Sequence, residues 1–137
     1  MRTVVVDASV VAKWFFPEEY SQAANRLFSR RYQLIAPDLL AAEFGNLTWK
    51  RVRRRELTPD DASLLILDFL RLPVTLISSG PLLPFALDLA LETGRTVYDC
   101  LYLALALNQD VQLVTADQRF ANSLADSPLA HHIRMIG

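Results

Sequence analysis

The sequence has a single cysteine, Cys100. That excludes an intramolecular disulfide and a zinc site built on cysteines. Its two histidines, His131 and His132, sit side by side near the C-terminus with no other ligand type around them. They read as a surface turn rather than a metal site. No apolar run approaches the roughly 20 residues needed to span a bilayer. Asp7 interrupts the first apolar stretch almost at once, so no signal peptide is expected. The sequence also lacks repeats, linkers and low-complexity tracts. No membrane association is expected, and the cytoplasm is the expected location. A strong excess of one charge is missing too, because the formal net charge is −1. That bulk value argues weakly against a nucleic-acid binder, but distribution matters more than the sum. Five of the 14 basic residues lie in one run, Lys50-Arg51-Val52-Arg53-Arg54-Arg55.

What is present is a chain of 137 residues, 52% hydrophobic and 21% charged. This suits one globular domain over residues 1–137 with a sizeable core. Residues 2–6 form a β-branched run that ends at Asp7 and read as a buried strand. Helices are expected over 9–16, stopping at Pro17, and over 18–30, with Ala23, Ala24, Leu27 and Phe28 facing inward. A second strand at 33–36 ends at Pro37. Asp38 is a suitable N-cap for a long helix to about residue 55. Thr58-Pro59-Asp60-Asp61 is another helix start, with a cap, a proline at the first position and acids behind it. That helix should run to about residue 71. Its apolar residues Leu64, Leu65, Ile66, Leu67, Phe69 and Leu70 read as core, or as a protein interface. A third strand is expected at 73–77. Helices at 81–92, closed by Gly94, and at 99–108 follow. Then come a strand at 111–115, a short helix at 118–124 and an edge strand at 133–136. Strands alternating with helices predict a three-layer α/β/α fold on a central parallel sheet of four or five strands.

In such folds the site lies beyond the carboxyl ends of the strands. Asp7 follows the first strand directly, and Asp117 lies two residues past the fourth. Asp99 heads an apolar helix, and Glu43 sits one turn into the helix after the second strand. Each acid alone could be a cap, a turn residue or a solvated side chain. Together they place four carboxylates at one edge. Two carboxylates about 4 Å apart repel by roughly 4 kcal/mol at an intermediate dielectric. Such a cluster requires shared protons or a cation. Oxygen donors without His or Cys favour Mg2+ or Mn2+ over zinc. Ions held this way can grip a phosphate and activate water. Ser9, Asn46 and Thr115 stand near Asp7, Glu43 and Asp117 and can orient ligands.

Other phosphoryl-transfer folds also place an Asp after the first strand. A haloacid-dehalogenase-like phosphatase wants a second Asp two residues later, where this chain has Ser9. A response-regulator receiver wants an Asp after its third strand, where Ile77-Ser78-Ser79-Gly80 stands instead. A binding module without catalysis would have little reason to keep a negative pocket.

The sequence resembles a PIN domain, and more narrowly the toxin of a VapBC toxin–antitoxin pair. The matching stretches are Val4-Val5-Val6-Asp7-Ala8-Ser9, Pro37-Asp38-Leu39-Leu40-Ala41-Ala42-Glu43-Phe44-Gly45-Asn46, Val97-Tyr98-Asp99-Cys100-Leu101-Tyr102-Leu103-Ala104-Leu105-Ala106 and Leu113-Val114-Thr115-Ala116-Asp117-Gln118-Arg119-Phe120-Ala121. They span essentially the whole chain in the right order. The resemblance implies a ribonuclease that needs Mg2+ or Mn2+, forms a homodimer and is neutralised by a small antitoxin. It implies that Asp7, Glu43, Asp99 and Asp117 are catalytic and bind metal, with Ser9, Asn46 and Thr115 in accessory polar positions. A PIN nuclease of RNA maturation, outside any toxin pair, is the nearest alternative. Cys100 stands where many relatives have Ala. Gln118 and Arg119 stand where some carry a further acid, so no extra ligand is implied there. For RNA contacts the candidates are Lys13, Lys50, Arg51 and Arg54. Lys50 and Arg54 share the helix face of Glu43 and Asn46. A positive track leading from a carboxylate pocket suits a phosphodiester backbone.

Overall fold

The computed structural model describes residues 1–16 and 20–137. Five parallel strands form one sheet in the order β3-β2-β1-β4-β5. They are β1 (Arg2–Val6), β2 (Tyr32–Pro37), β3 (Val74–Ile77), β4 (Gln112–Thr115) and β5 (Ile133–Met135). The helices are α1 (Ala8–Phe15), α2 (Ser21–Asn25), α3 (Leu39–Arg53), α4 (Pro59–Leu70), α5 (Leu83–Thr93), α6 (Val97–Gln109) and α7 (Gln118–Ser123). The result is the expected three-layer α/β/α architecture.

Strand β1 is central because it can be. Val4, Val5 and Val6 have no solvent exposure, and β-branched chains fill the space between two helical layers. In register, Val5 pairs with Ile35 on one side and Leu113 on the other. The sequence order of the strands reverses between β1 and β4, so a crevice opens at their carboxyl ends. Asp7 and Asp117 follow those two strands. The long apolar helix α6 packs on β1, β2 and β4, with α5 alongside. Its residues from Cys100 to Ala106 are all buried. Phe44 of α3 stacks on Phe69 of α4 at 4.6 Å between ring centroids and lies 4.9 Å from Phe15.

Start and stop signals act mostly as expected. Thr58 accepts from the Asp61 amide at 3.1 Å, and Pro59 opens α4. Gly94 closes α5 at φ +75°, a left-handed turn that costs glycine nothing.

Four expectations need correction. The helix expected over 18–30 shrinks to Ser21–Asn25, and its first two positions lie outside the described residues together with Pro17. After Asn25 the backbone bonds tighten to three-residue steps, Leu27 to Ala24 and Phe28 to Asn25. The Ala24 carbonyl also accepts from Trp14 Nε1 at 2.8 Å, which competes with a regular next turn. Phe28 therefore does not face inward. It is 40% exposed and packs on the Trp14 ring at 4.2 Å.

Asp38 is the second correction, because its side chain does not cap α3. It accepts instead from the Ser79 hydroxyl at 2.5 Å and the Ser79 amide at 3.2 Å, tying the end of β2 to the segment after β3. Third, Thr96 rather than Asp99 caps α6. Its hydroxyl accepts from the Asp99 amide at 3.1 Å, which places Asp99 at the third helical position. Fourth, the α4 stripe is core only in part: Phe69 is buried and Ile66 packs against the core, whereas Leu64, Leu67 and Leu70 are exposed. A stripe wider than one helix face has no room to bury every member.

Candidate active site

The end of β1 and the end of β4 are stitched together by one hydrogen-bond network. Asp7 Oδ1 caps α1, accepting from the Val10 amide at 3.2 Å and from Ser9 Oγ at 2.5 Å. Its Oδ2 accepts from Thr115 Oγ1. Ser9 Oγ accepts from the Ala116 amide at 2.9 Å, and Thr115 Oγ1 from the Asp117 amide at 3.0 Å. Thr115 is fully buried, so its hydroxyl depends on these partners. Asp117 Oδ1 caps α7 by accepting from the Phe120 amide at 3.1 Å.

These acids open into a cavity of about 160 Å³. Asp7, Glu43, Asp99 and Asp117 all line it, so four separate elements deliver one carboxylate each. Ser9 lines it as well. Asn46 does not. It lines an adjoining groove with Lys50 and Arg54, and Glu43 borders both spaces. Of the other two predicted cations, Lys13 lies over the Tyr20 ring at 6.0 Å. Arg51 lies over the Phe16 ring at 3.9 Å and pairs with Glu56 at 3.5 Å. Neither lines the cavity or the groove.

Two groups that line the cavity, Tyr102 and Phe120, and one that bonds its acid Asp99, Arg95, were not singled out by sequence. Tyr102, one turn after Asp99, donates its hydroxyl to Glu43 Oε1 at 2.6 Å. Arg95, one turn before Asp99, donates through Nη2 to Asp99 Oδ2 at 2.9 Å. Phe120 forms part of the wall, and the Arg95 guanidinium lies 5.1 Å from its ring centroid. A signal existed for Tyr102. Residues three apart on a helix share a face, so its place beside Asp99 on α6 was legible from spacing. Arg95 lies before the start of α6, and helix spacing does not point to it.

Burial pushes the Asp7 carboxyl up to about 6, in spite of its three donors, and the charge of Glu43 adds to the rise. Glu43 is raised by burial, which outweighs the Tyr102 bond, and further by Asp99. Burial and the facing carboxylates raise the Tyr102 hydroxyl strongly, so it stays a donor. Burial and neighbouring carboxylates thus disfavour the charged forms of Asp7 and Glu43. A divalent cation between them would reverse that balance. The donor set is all oxygen, which suits magnesium or manganese. Among the described residues, no three of these acids stand close enough to enclose an ion unaided.

A family model described as the PIN domain matches residues 4–123. The chain belongs to the PIN domain family. It is 40% identical over 122 residues to Ribonuclease VapC3 of Pyrobaculum aerophilum, spanning 86% of this chain and 92% of that protein. Its fold is similar to the crystal structure of PAE2754 from Pyrobaculum aerophilum, with a TM-score of 0.73 at 24% identity, covering 98% and 91% of the two chains. It is also similar to the crystal structure of VapBC2 from Rickettsia felis bound to a DNA fragment from their promoter. There the TM-score is 0.67 at 12% identity, and the coverage is 98% and 99%. Both structures thus share this fold at low identity. What the sheet edge presents in this chain is the four-acid cavity. No helix among the described residues is long and apolar enough to cross a membrane.

Proposed function

We propose that this PIN domain is an endoribonuclease dependent on Mg2+ or Mn2+, acting in the cytoplasm as the toxin of a toxin–antitoxin pair. One observation carries the reading: four carboxylates from four elements share one small cavity that opens beside a groove bearing the cations Lys50 and Arg54. The identity to a protein named as a ribonuclease supports the choice of RNA. The partners are then RNA, a small antitoxin and a second copy of the chain. The exposed leucines of α4 offer apolar surface for protein contacts.

Asp7, Glu43, Asp99 and Asp117 would hold the metal, directly or through its waters. When bound, the metal supplies activation of a water and offsets charge on the phosphate. The protein's own part is placement. Ser9 and Thr115 fix the Asp7 carboxylate, Tyr102 fixes Glu43, and Arg95 fixes Asp99. Lys50 and Arg54 hold the strand near the scissile bond, with Asn46 beside them.

The test compares wild type with Asp7→Asn on mixed RNA, in magnesium, in manganese and in chelator. Cleavage should require metal and fall by about 10³-fold in the variant, since a metal site supplies several kcal/mol. A folded, antitoxin-free wild type that cleaves no RNA overturns the enzyme reading.

A further inference from the structure

The wall of the acid cavity continues outward as a groove of about 640 Å³. Ala8 and Glu43 belong to both spaces, so whatever lies in the groove meets the carboxylates. Half-buried Leu39 and Leu47 give the groove an apolar lining, and Asn46, Lys50, Arg54 and Tyr98 give it polar and aromatic groups. Tyr98 directly precedes Asp99 on α6 and is 62% exposed. Among the described residues its ring has no aromatic or cationic partner, and its hydroxyl makes no hydrogen bond. Lys50 and Arg54 pair with no carboxylate there either. An exposed tyrosine ring, two cations and a carboxamide around an apolar groove form a particular combination. The groove offers a flat apolar face, a positive edge and a hydrogen-bonding group at once.

We propose that this groove binds one unpaired nucleotide of the substrate next to the scissile phosphate. Its base stacks on Tyr98, and the phosphates beyond it run along Lys50 and Arg54. The proposal rests on the ribonuclease reading and adds which side chains of the groove receive the base and the phosphates. A base inside a duplex already has both faces stacked, and the grooves of A-form RNA do not bring a base face to a side chain. Single-stranded sites, by contrast, join an aromatic platform to a positive groove. Charge complementarity runs the same way. The cavity is negative and needs a cation, whereas the groove is positive and needs the strand. Lys50 and Arg54 lie roughly 10 and 16 Å along the helix from Glu43 at 1.5 Å per residue, so they reach phosphates outside the cavity. Asn46 has both a donor and an acceptor for a base edge.

The experiment measures fluorescence anisotropy of a short unstructured RNA in chelator, so that binding is read without cleavage. Tyr98→Ala should weaken binding by about 5- to 150-fold, the range of one lost base stack. Tyr98→Phe should stay within about twofold of wild type. An RNA with an abasic residue scanned along its length should reproduce the loss at one position with wild type. At that position Tyr98→Ala should cause no further loss. Equal binding by wild type and Tyr98→Ala overturns the proposal. So does a Tyr98→Phe variant as weak as Tyr98→Ala, or a duplex RNA that competes as well as the single strand. A change in sedimenting mass on substituting Tyr98 would assign the ring to a contact between copies instead. If the ribonuclease reading itself is wrong, wild type neither binds nor cleaves RNA, which differs from wild type binding normally while Tyr98→Ala equals it.

Discussion

Helix α3 passes through two environments of opposite kind. Near its start, Glu43 is half-buried, fixed by Tyr102 and raised by burial and by Asp99. Near its end, Lys50 and Arg54 are exposed and unpaired among the described residues. The two regions differ in how the fold specifies them. Every acid of the cavity is oriented by a donor, and for Asp7 and Glu43 that donor comes partly from a distant element, β4 or α6. The groove cations need only the right helix face and freedom to follow a ligand. Reaction chemistry needs groups held within a fraction of an ångström, while electrostatic binding tolerates motion.

The largest expected effect tests how unfavourable the cavity's charge is without metal. Asp7 has a folded value of about 6 against 3.8 for the free group. A raised carboxyl favours the folded state when protonated. Its contribution is fully present below about pH 3.8 and is lost as pH rises through 6. The span corresponds to about 3 kcal/mol, at 1.36 kcal/mol per pH unit. In chelator, the stability of Asp7→Asn relative to wild type should therefore rise by about that amount between pH 4 and 7, as measured by urea unfolding. Identical pH dependence in the two proteins would show that burial does not disfavour the Asp7 charge. A metal salt should restore wild type at pH 7 and leave the variant nearly unmoved.

The next effect separates a positioning residue from a binding one. Tyr102→Phe removes only the hydroxyl that fixes Glu43. Partners of this kind typically contribute 10- to 100-fold in metal affinity or activity. Cleavage should fall by about that factor, while RNA binding in chelator stays within about twofold. A parallel loss of RNA binding would place Tyr102 in the strand path and blur the boundary between cavity and groove.

The sheet, the consequence of its strand order and the gathering of Asp7, Glu43, Asp99 and Asp117 at one edge were legible because they depend on local signals. A β-branched run ending in Asp7 can hardly be anything but a buried strand with an acid at its exit. The partners were less legible. Thr115 stood near Asp117 in sequence, yet its hydroxyl also serves Asp7, 108 residues away. Asp38 had every local mark of a cap and was drawn off by Ser79, 41 residues on. Residues 26–30 had helical periodicity, but Trp14 engages the Ala24 carbonyl. For Asp38 and for residues 26–30, a tertiary hydrogen bond outcompetes a local preference worth about 1 kcal/mol. Tyr98 shows the opposite limit. It sits inside a recognisable motif, but only its place in the groove distinguishes its ring from an ordinary exposed side chain.

The smallest effect concerns the groove, where no single contact dominates. Replacing Lys50 and Arg54 together by Gln should weaken RNA binding and lower the slope of log affinity against log salt by about 1.4, at 0.7 per phosphate contact on a single strand. Turnover at saturating RNA should change little, because neither residue lines the acid cavity. Arg51→Gln is the control. Its guanidinium is engaged with Glu56 and the Phe16 ring, so it should leave the slope unchanged. If Arg51→Gln flattens the slope as much as the double variant, the strand takes the other side of α3. The cavity and the groove would then be neighbours in space without serving the same substrate.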